Sequence, residues 1–148
     1  MSEGEATAGP SISVIRRRVD YSETDQMGVV YHARYLVWLD VARTEHLRLT
    51  GVTYRELEQL GLRLMVSDLA VRYRHSARYD DPIRVRCWVR EVASRKVTFG
   101  YAVEHDETGA LLATATTALL VLDHSFAFAR LPLAVSSRLT PIVDPVRL

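Results

Sequence analysis

Tyr35-Leu36-Val37-Trp38-Leu39-Asp40-Val41-Ala42 is apolar almost throughout, with Asp40 its only acid. It sits in a proline-free segment from Tyr31 to Thr50 that Gly51 closes as a helix terminator. About twenty helical residues span roughly 30 Å, the width of a small domain. A helix apolar nearly all round is expected to be buried on most sides. A second, shorter amphipathic helix is predicted over Tyr54–Leu60, ending at Gly61.

Outward from that helix the period changes. Downstream of Gly61 apolar residues alternate with polar ones: Leu69, Val71 and Tyr73; then Ile83, Val85, Cys87 and Val89; then Val97, Phe99, Tyr101 and Val103. Period two predicts half-buried antiparallel strands. His105-Asp106-Glu107-Thr108-Gly109 predicts a hairpin turn into Leu111–Asp123, a strand covered on both faces, and Phe126 and Phe128 predict one more short strand before Pro132. Upstream, Ile12–Tyr21 predicts a strand with Ile15, Val19 and Tyr21 on one face. One long helix and about five antiparallel strands satisfy burial most simply as an α+β fold, a curled sheet wrapped round a central helix. Strand surfaces far from the helix would still expose an apolar face, and a partner subunit is expected there.

The chain has 148 residues, 48% hydrophobic and 25% charged, the balance of one soluble globular domain. Residues 1–10 are small and acidic and predict a disordered leader, 11–132 the domain, and 133–148, with Pro141 and Pro145, an irregular tail. A formal charge of +1 is too small for a nonspecific nucleic-acid binder. No signal peptide or membrane-spanning run is visible, and the single cysteine, Cys87, rules out an internal disulfide framework or a cysteine-rich zinc site. A cytoplasmic setting is expected. The five histidines, His32, His46, His75, His105 and His124, show no metal-ligand spacing, so no metal or cofactor is expected.

Chemistry concentrates in Tyr21-Ser22-Glu23-Thr24-Asp25-Gln26-Met27-Gly28-Val29-Val30-Tyr31-His32-Ala33-Arg34-Tyr35. Two acids and a threonine on a loop lead through a glycine turn to a histidine at the start of the helix. A carboxylate there lies near free backbone N–H groups, which stabilise developing negative charge. A carboxylate and an oxyanion site facing one cleft suit acyl transfer. A turn or capping aspartate is the plainer reading of Asp25 taken alone. Glu23 is expected to be a supporting hydrogen-bonding residue or a surface acid rather than a catalyst, and Asp40 to pair with Arg43 at i+3. The row Arg84, Arg86, Trp88 and Arg90 is expected to face solvent or a subunit, and Cys87 the core.

The Tyr21–Tyr35 stretch resembles the 4-hydroxybenzoyl-CoA and short-chain acyl-CoA thioesterases of the hotdog fold. Trp38–Glu45, Ala77–Asp81 and Ser94-Arg95-Lys96 support it, and the resemblance runs from about Ile15 to Pro132. It implies that Asp25 is the catalytic acid, either nucleophile on the thioester carbonyl or general base for water. It implies the His32 backbone N–H as oxyanion donor, with Gly28 allowing the turn, and Arg95 and Lys96 as contacts for CoA phosphates. Glu23 departs from the Asp that relatives commonly carry. Val29, Tyr31 and Tyr35 are expected to line the acyl pocket. The expected partners are an acyl-CoA and further copies of the chain, as a homodimer or homotetramer. Two other readings stand beside hydrolysis of acyl-CoA: a thioesterase for chains held on an acyl-carrier protein, and a non-catalytic acyl-CoA binder. A thiolate leaves readily, so one carboxylate and an oxyanion hole suffice, and no Gly-x-Ser-x-Gly elbow is present.

Overall fold

A computed structural model describes residues 10–148, so the leader expected over residues 1–10 lies, except for Pro10, outside the described residues. The strands are β1 (Ile12–Arg18), β2 (Leu62–Tyr73), β3 (Pro82–Val92), β4 (Lys96–His105) and β5 (Leu111–Asp123). They form one antiparallel sheet in the order β1-β3-β4-β5-β2, which leaves β1 and β2 as edges. Helix α1 (Arg34–Leu49) packs on one face of this sheet, against β1 and β3, and α2 (Tyr54–Gln59) leads into β2. The expected α+β arrangement of five strands on one long helix is what the chain adopts.

The helix is the seed of the core. Trp38, Leu39, Ala42 and Leu47 are buried against Ile83, Val85, Cys87, Val89, Phe99, Tyr101 and Val103 of β3 and β4. Each large apolar side chain removed from water there contributes about 1.5–3 kcal/mol. The alternation read from the sequence therefore names the inner face of the central strands correctly, Cys87 included.

Elsewhere the structure corrects the sequence reading. Helix α1 begins at Arg34, three residues later than expected, because His32 and Ala33 form a turn ahead of it. Its apolar character does not mean burial all round: Val37 and Val41 are 48% and 40% exposed, since the sheet reaches one side of the helix only. Strand β1 ends at Arg18, and Tyr21 enters a 3-10 turn (Tyr21–Glu23) that swings its ring outward to 77% exposure. Leu69 and Tyr73 are half exposed because β2 is an edge strand. No strand forms at Phe126 and Phe128. Phe126 turns the chain at a φ of 61°, and Phe128 makes only an isolated bridge to Leu122.

The last residues do more than trail. A short helix, α3 (Leu133–Ser136), puts Val135 into the core, as does Leu139. Pro141 then bridges Val89, and Asp144 accepts hydrogen bonds from Trp88 Nε1 and Arg90 Nε, both at 2.9 Å. Trp88, expected to face solvent or a subunit, is wholly buried beneath this strap on the outer face. Its indole lies against Gly100, where a Cβ would meet it at 2.5 Å. Beside it, Glu104 accepts from both Arg84 and Arg86, so that basic row is largely neutralised within the sheet.

Candidate active site

The loop carrying Asp25 is closed on itself before it reaches the helix. Thr24 and Val30 form an antiparallel bridge, Asp25 N–H donates to Val29 C=O at 2.9 Å, and Gly28 N–H to Asp25 C=O at 3.0 Å. Gly28 sits at a φ of 78°, the left-handed region that a side chain would resist. Two backbone ties hold this closed turn to the body. Val30 N–H donates to Ala77 C=O, and Tyr31 N–H to Glu23 C=O. The Glu23 carboxyl accepts from Trp38 Nε1 and from the Asp20 N–H, the supporting role expected of it.

Within that frame Asp25 Oδ1 accepts the Met27 N–H at 2.8 Å, and Oδ2 has no protein donor among the described residues. A carboxylate with one oxygen anchored and one free is oriented but still available to attack or to take a proton. His32 follows the turn. Its N–H donates to no acceptor among the described residues, while the Tyr31 carbonyl of the same peptide group accepts from Arg34 N–H at 2.9 Å. It is a free donor just ahead of the positive end of α1.

Asp25 and His32 open onto one cavity of about 230 Å³. Val29 and Tyr35, expected at the acyl pocket, are among the residues lining this cavity, while Gly28 sits in the turn and is not. Tyr31 does not line it. It is 45% exposed and packs its ring on His32 at 4.5 Å. Arg95 and Lys96 lie at the β3–β4 hairpin, at the other end of these strands, and a single chain does not bring them to Asp25. Sequence reasoning missed the opposite wall, Tyr73, Arg74, His75 and Ser76, together with Met27 and Val30. The wall lies some forty residues along the chain, and its one local sign is a polar and aromatic cluster where β2 ends.

Burial raises the Tyr35 and Tyr73 phenols above their usual pKa, so both are protonated at neutral pH. Tyr35 OH accepts from the Ala77 N–H at 3.0 Å, and its ring meets Tyr73 edge-on at 5.2 Å. A larger opening of about 560 Å³ lies on the outer face beside the strap; of its three charged residues, Arg90 and Asp144 pair with each other and Glu91 is the third. Asp40 and Arg43 are paired as expected, though the buried partner is Arg43, which also donates to the Tyr54 and Tyr101 hydroxyls. No group of residues suited to a metal ion occurs among the described residues. No helix among them is long and apolar enough to cross a membrane.

The five-stranded antiparallel sheet packed on one long helix is the hotdog fold of solved thioesterases. The profile of the thioesterase-like superfamily matches residues 19–139, and the chain belongs to that superfamily of thioester hydrolases. It is 35% identical over 105 residues to the putative acyl-CoA thioesterase YneP of Bacillus subtilis, covering 71% of this chain and 75% of that one. It is 43% identical over 83 residues to the acyl-CoA thioesterase YbgC of Haemophilus influenzae, covering 55% and 61% of the two chains. Among solved structures it resembles the hypothetical protein TT1821 of Thermus thermophilus, with a TM-score of 0.80, 38% identity, and 86% and 96% of the two chains covered.

Proposed function

We propose that the chain hydrolyses an acyl-CoA thioester to the free acid and CoA, with Asp25 and the His32 N–H as its working groups. The observation that carries this reading is that Asp25, its carboxylate half free, and His32, its backbone N–H unpaired among the described residues, line one cavity. Asp25 either attacks the thioester carbonyl, giving an anhydride that water opens, or takes a proton from water as that water attacks. In both routes the carbonyl oxygen gains negative charge, which the His32 N–H stabilises, and the thiolate departs and is protonated. Val29 and Tyr35 hold the acyl group.

The names of the relatives support acyl-CoA as substrate. Assembly supports it too. About 230 Å³ falls short of the roughly 300–1,000 Å³ that a drug-sized ligand occupies, so one chain supplies only part of the cleft. The unpaired edge of β2, with Met65, Val66 and Leu69 half exposed, offers a second copy a strand to pair with. A homodimer, or a homotetramer built from two such dimers, completes the cleft and supplies Arg95 and Lys96 for the CoA phosphates.

The experiment is thiol release from a panel of acyl-CoAs, from acetyl to palmitoyl with benzoyl and phenylacetyl types, with Asp25→Asn beside the parent. Turnover lost in the variant is expected. Full activity in a folded Asp25→Asn protein sinks the mechanism. Turnover confined to acyl chains on a carrier protein moves the substrate, and tight binding of an acyl-CoA without cleavage replaces the hydrolase with a binder.

A further inference from the structure

We propose that Tyr73, the last residue of β2, is a positioning residue that aims the His32 N–H, a role that rests on the hydrolase reading above. The two peptide groups flanking the His32 Cα are each held by one hydrogen bond. The first contains the Tyr31 carbonyl and the His32 N–H, and that carbonyl accepts from Arg34 N–H at 2.9 Å. The second contains the His32 carbonyl, which accepts from the Tyr73 hydroxyl at 2.7 Å.

No backbone group could do the work of that hydroxyl here. In a continuous helix the Leu36 N–H would bond the His32 carbonyl four residues back, but it goes instead to the Ala33 carbonyl at 3.2 Å. The Tyr73 hydroxyl is the one partner of the His32 carbonyl among the described residues. Without it the His32–Ala33 peptide group could rotate. The Tyr31–His32 group, sharing the His32 Cα, would then be clamped on one side only.

Tyr73 is itself firmly placed. Its backbone pairs with Ala113 of β5, and its ring meets Tyr35 at 5.2 Å and the His32 imidazole at 6.4 Å, both edge-on. Tyr35 in turn packs on buried Trp38 at 4.8 Å and accepts the Ala77 N–H. A rigid line therefore runs from the core through two phenol rings to His32, which lines the cavity and whose N–H is unpaired among the described residues. An oxyanion donor fixed before substrate arrives costs no reorganisation when the charge develops, which is where such donors gain their effect. The clamp acts on the transition state, so it governs kcat more than KM.

Tyr73→Phe tests this. It keeps the ring and its edge-on contacts and removes only the hydroxyl. The side chain is 45% exposed, so the fold tolerates the change, and thermal melting verifies that. The expected result is a fall in kcat of about tenfold with KM nearly constant, less than the hundredfold or more that follows loss of an oxyanion donor outright. Amide hydrogen exchange at Arg34, whose N–H holds the Tyr31 carbonyl, is expected to quicken as the helix start loosens. Unchanged kcat, or a rise in KM alone, overturns the proposal and leaves Tyr73 a wall of the cavity. If the parent cleaves no thioester, the hydrolase reading fails by itself, and the exchange rates still decide whether the hydroxyl clamps the helix start.

Discussion

Trp38 Nε1 donates a hydrogen bond of 2.7 Å to Glu23 Oε2 across fifteen residues of sequence, joining the loop before the site to the buried side of α1. Trp38 is fully buried and Glu23 nearly so. A buried donor stripped of its acceptor costs about 1–3 kcal/mol, and bonds to charged groups sit at the upper end.

Glu23→Ala is therefore expected to destabilise the fold by on the order of 2–3 kcal/mol, read by urea denaturation. Glu23→Gln keeps an acceptor and loses about 1 kcal/mol or less. Because Glu23 never lines the cavity, substrate affinity is expected to hold in Glu23→Gln. Equal stability of Glu23→Ala and the parent removes the tie from the account.

Gly100→Ala places a methyl 2.5 Å from the Trp88 indole, which is fully buried and held by Asp144. The ring has nowhere to yield, so overpacking of about 1–3 kcal/mol is expected, with an altered tryptophan emission spectrum. Asp144→Ala acts on the same ring from the other side. It leaves the indole N–H unpaired, and a loss of about 1–2 kcal/mol is expected, mostly from that group and little from the partly exposed Arg90 pair.

His46 gives a pH dependence with a definite sign. Its Nδ1 lies 2.8 Å from Ser13 Oγ, and its ring meets Phe99 edge-on in the core. Burial lowers its pKa below the usual value near 6.5, against a smaller opposing pull from the Cys87 carbonyl. In the window between the lowered value and about 6.5 the unfolded chain holds the extra proton. Stability from this group is complete above about 6.5 and is lost as pH falls through that window. Denaturant midpoints measured from neutral pH downward are expected to fall more steeply in the parent than in His46→Gln. Parallel slopes would remove His46 as the source.

The edge of β2 is tested by Leu69→Lys. A charge on an exposed edge strand opposes pairing with another chain. Light scattering is expected to show a smaller species than the parent, with thioester hydrolysis reduced because the cleft is left incomplete. A parent already monomeric, or a variant of unchanged size, places the partner elsewhere.

Much of this was legible in the residues themselves. The helix announced itself through Tyr35–Ala42, and the inner face of β3 and β4 through strict alternation, because burial against one layer writes its period into the chain. The Asp25 turn was visible through its acid, its glycine and the residues around them. What escaped was set by contacts distant in sequence. That Val37 and Val41 face out depends on how far the sheet reaches, and an apolar side chain does not record that. Trp88 is covered by a strap more than fifty residues later, so its strand alone described an open face. Tyr73 enters the site only because β2 ends beside the helix start, a fact of topology.

The bridge between Thr24 and Val30 has a consequence for how the protein fails on heating. Mobile active-site loops often melt before the body they are attached to, so that catalysis dies early. Here the segment bearing the carboxylate is a knot of short hydrogen bonds fastened to Trp38 and Ala77, both of them core residues. It is therefore expected to unfold together with the interior. Heat inactivation and loss of the tryptophan signal should fall on one curve, which makes turnover a reporter of the folded fraction.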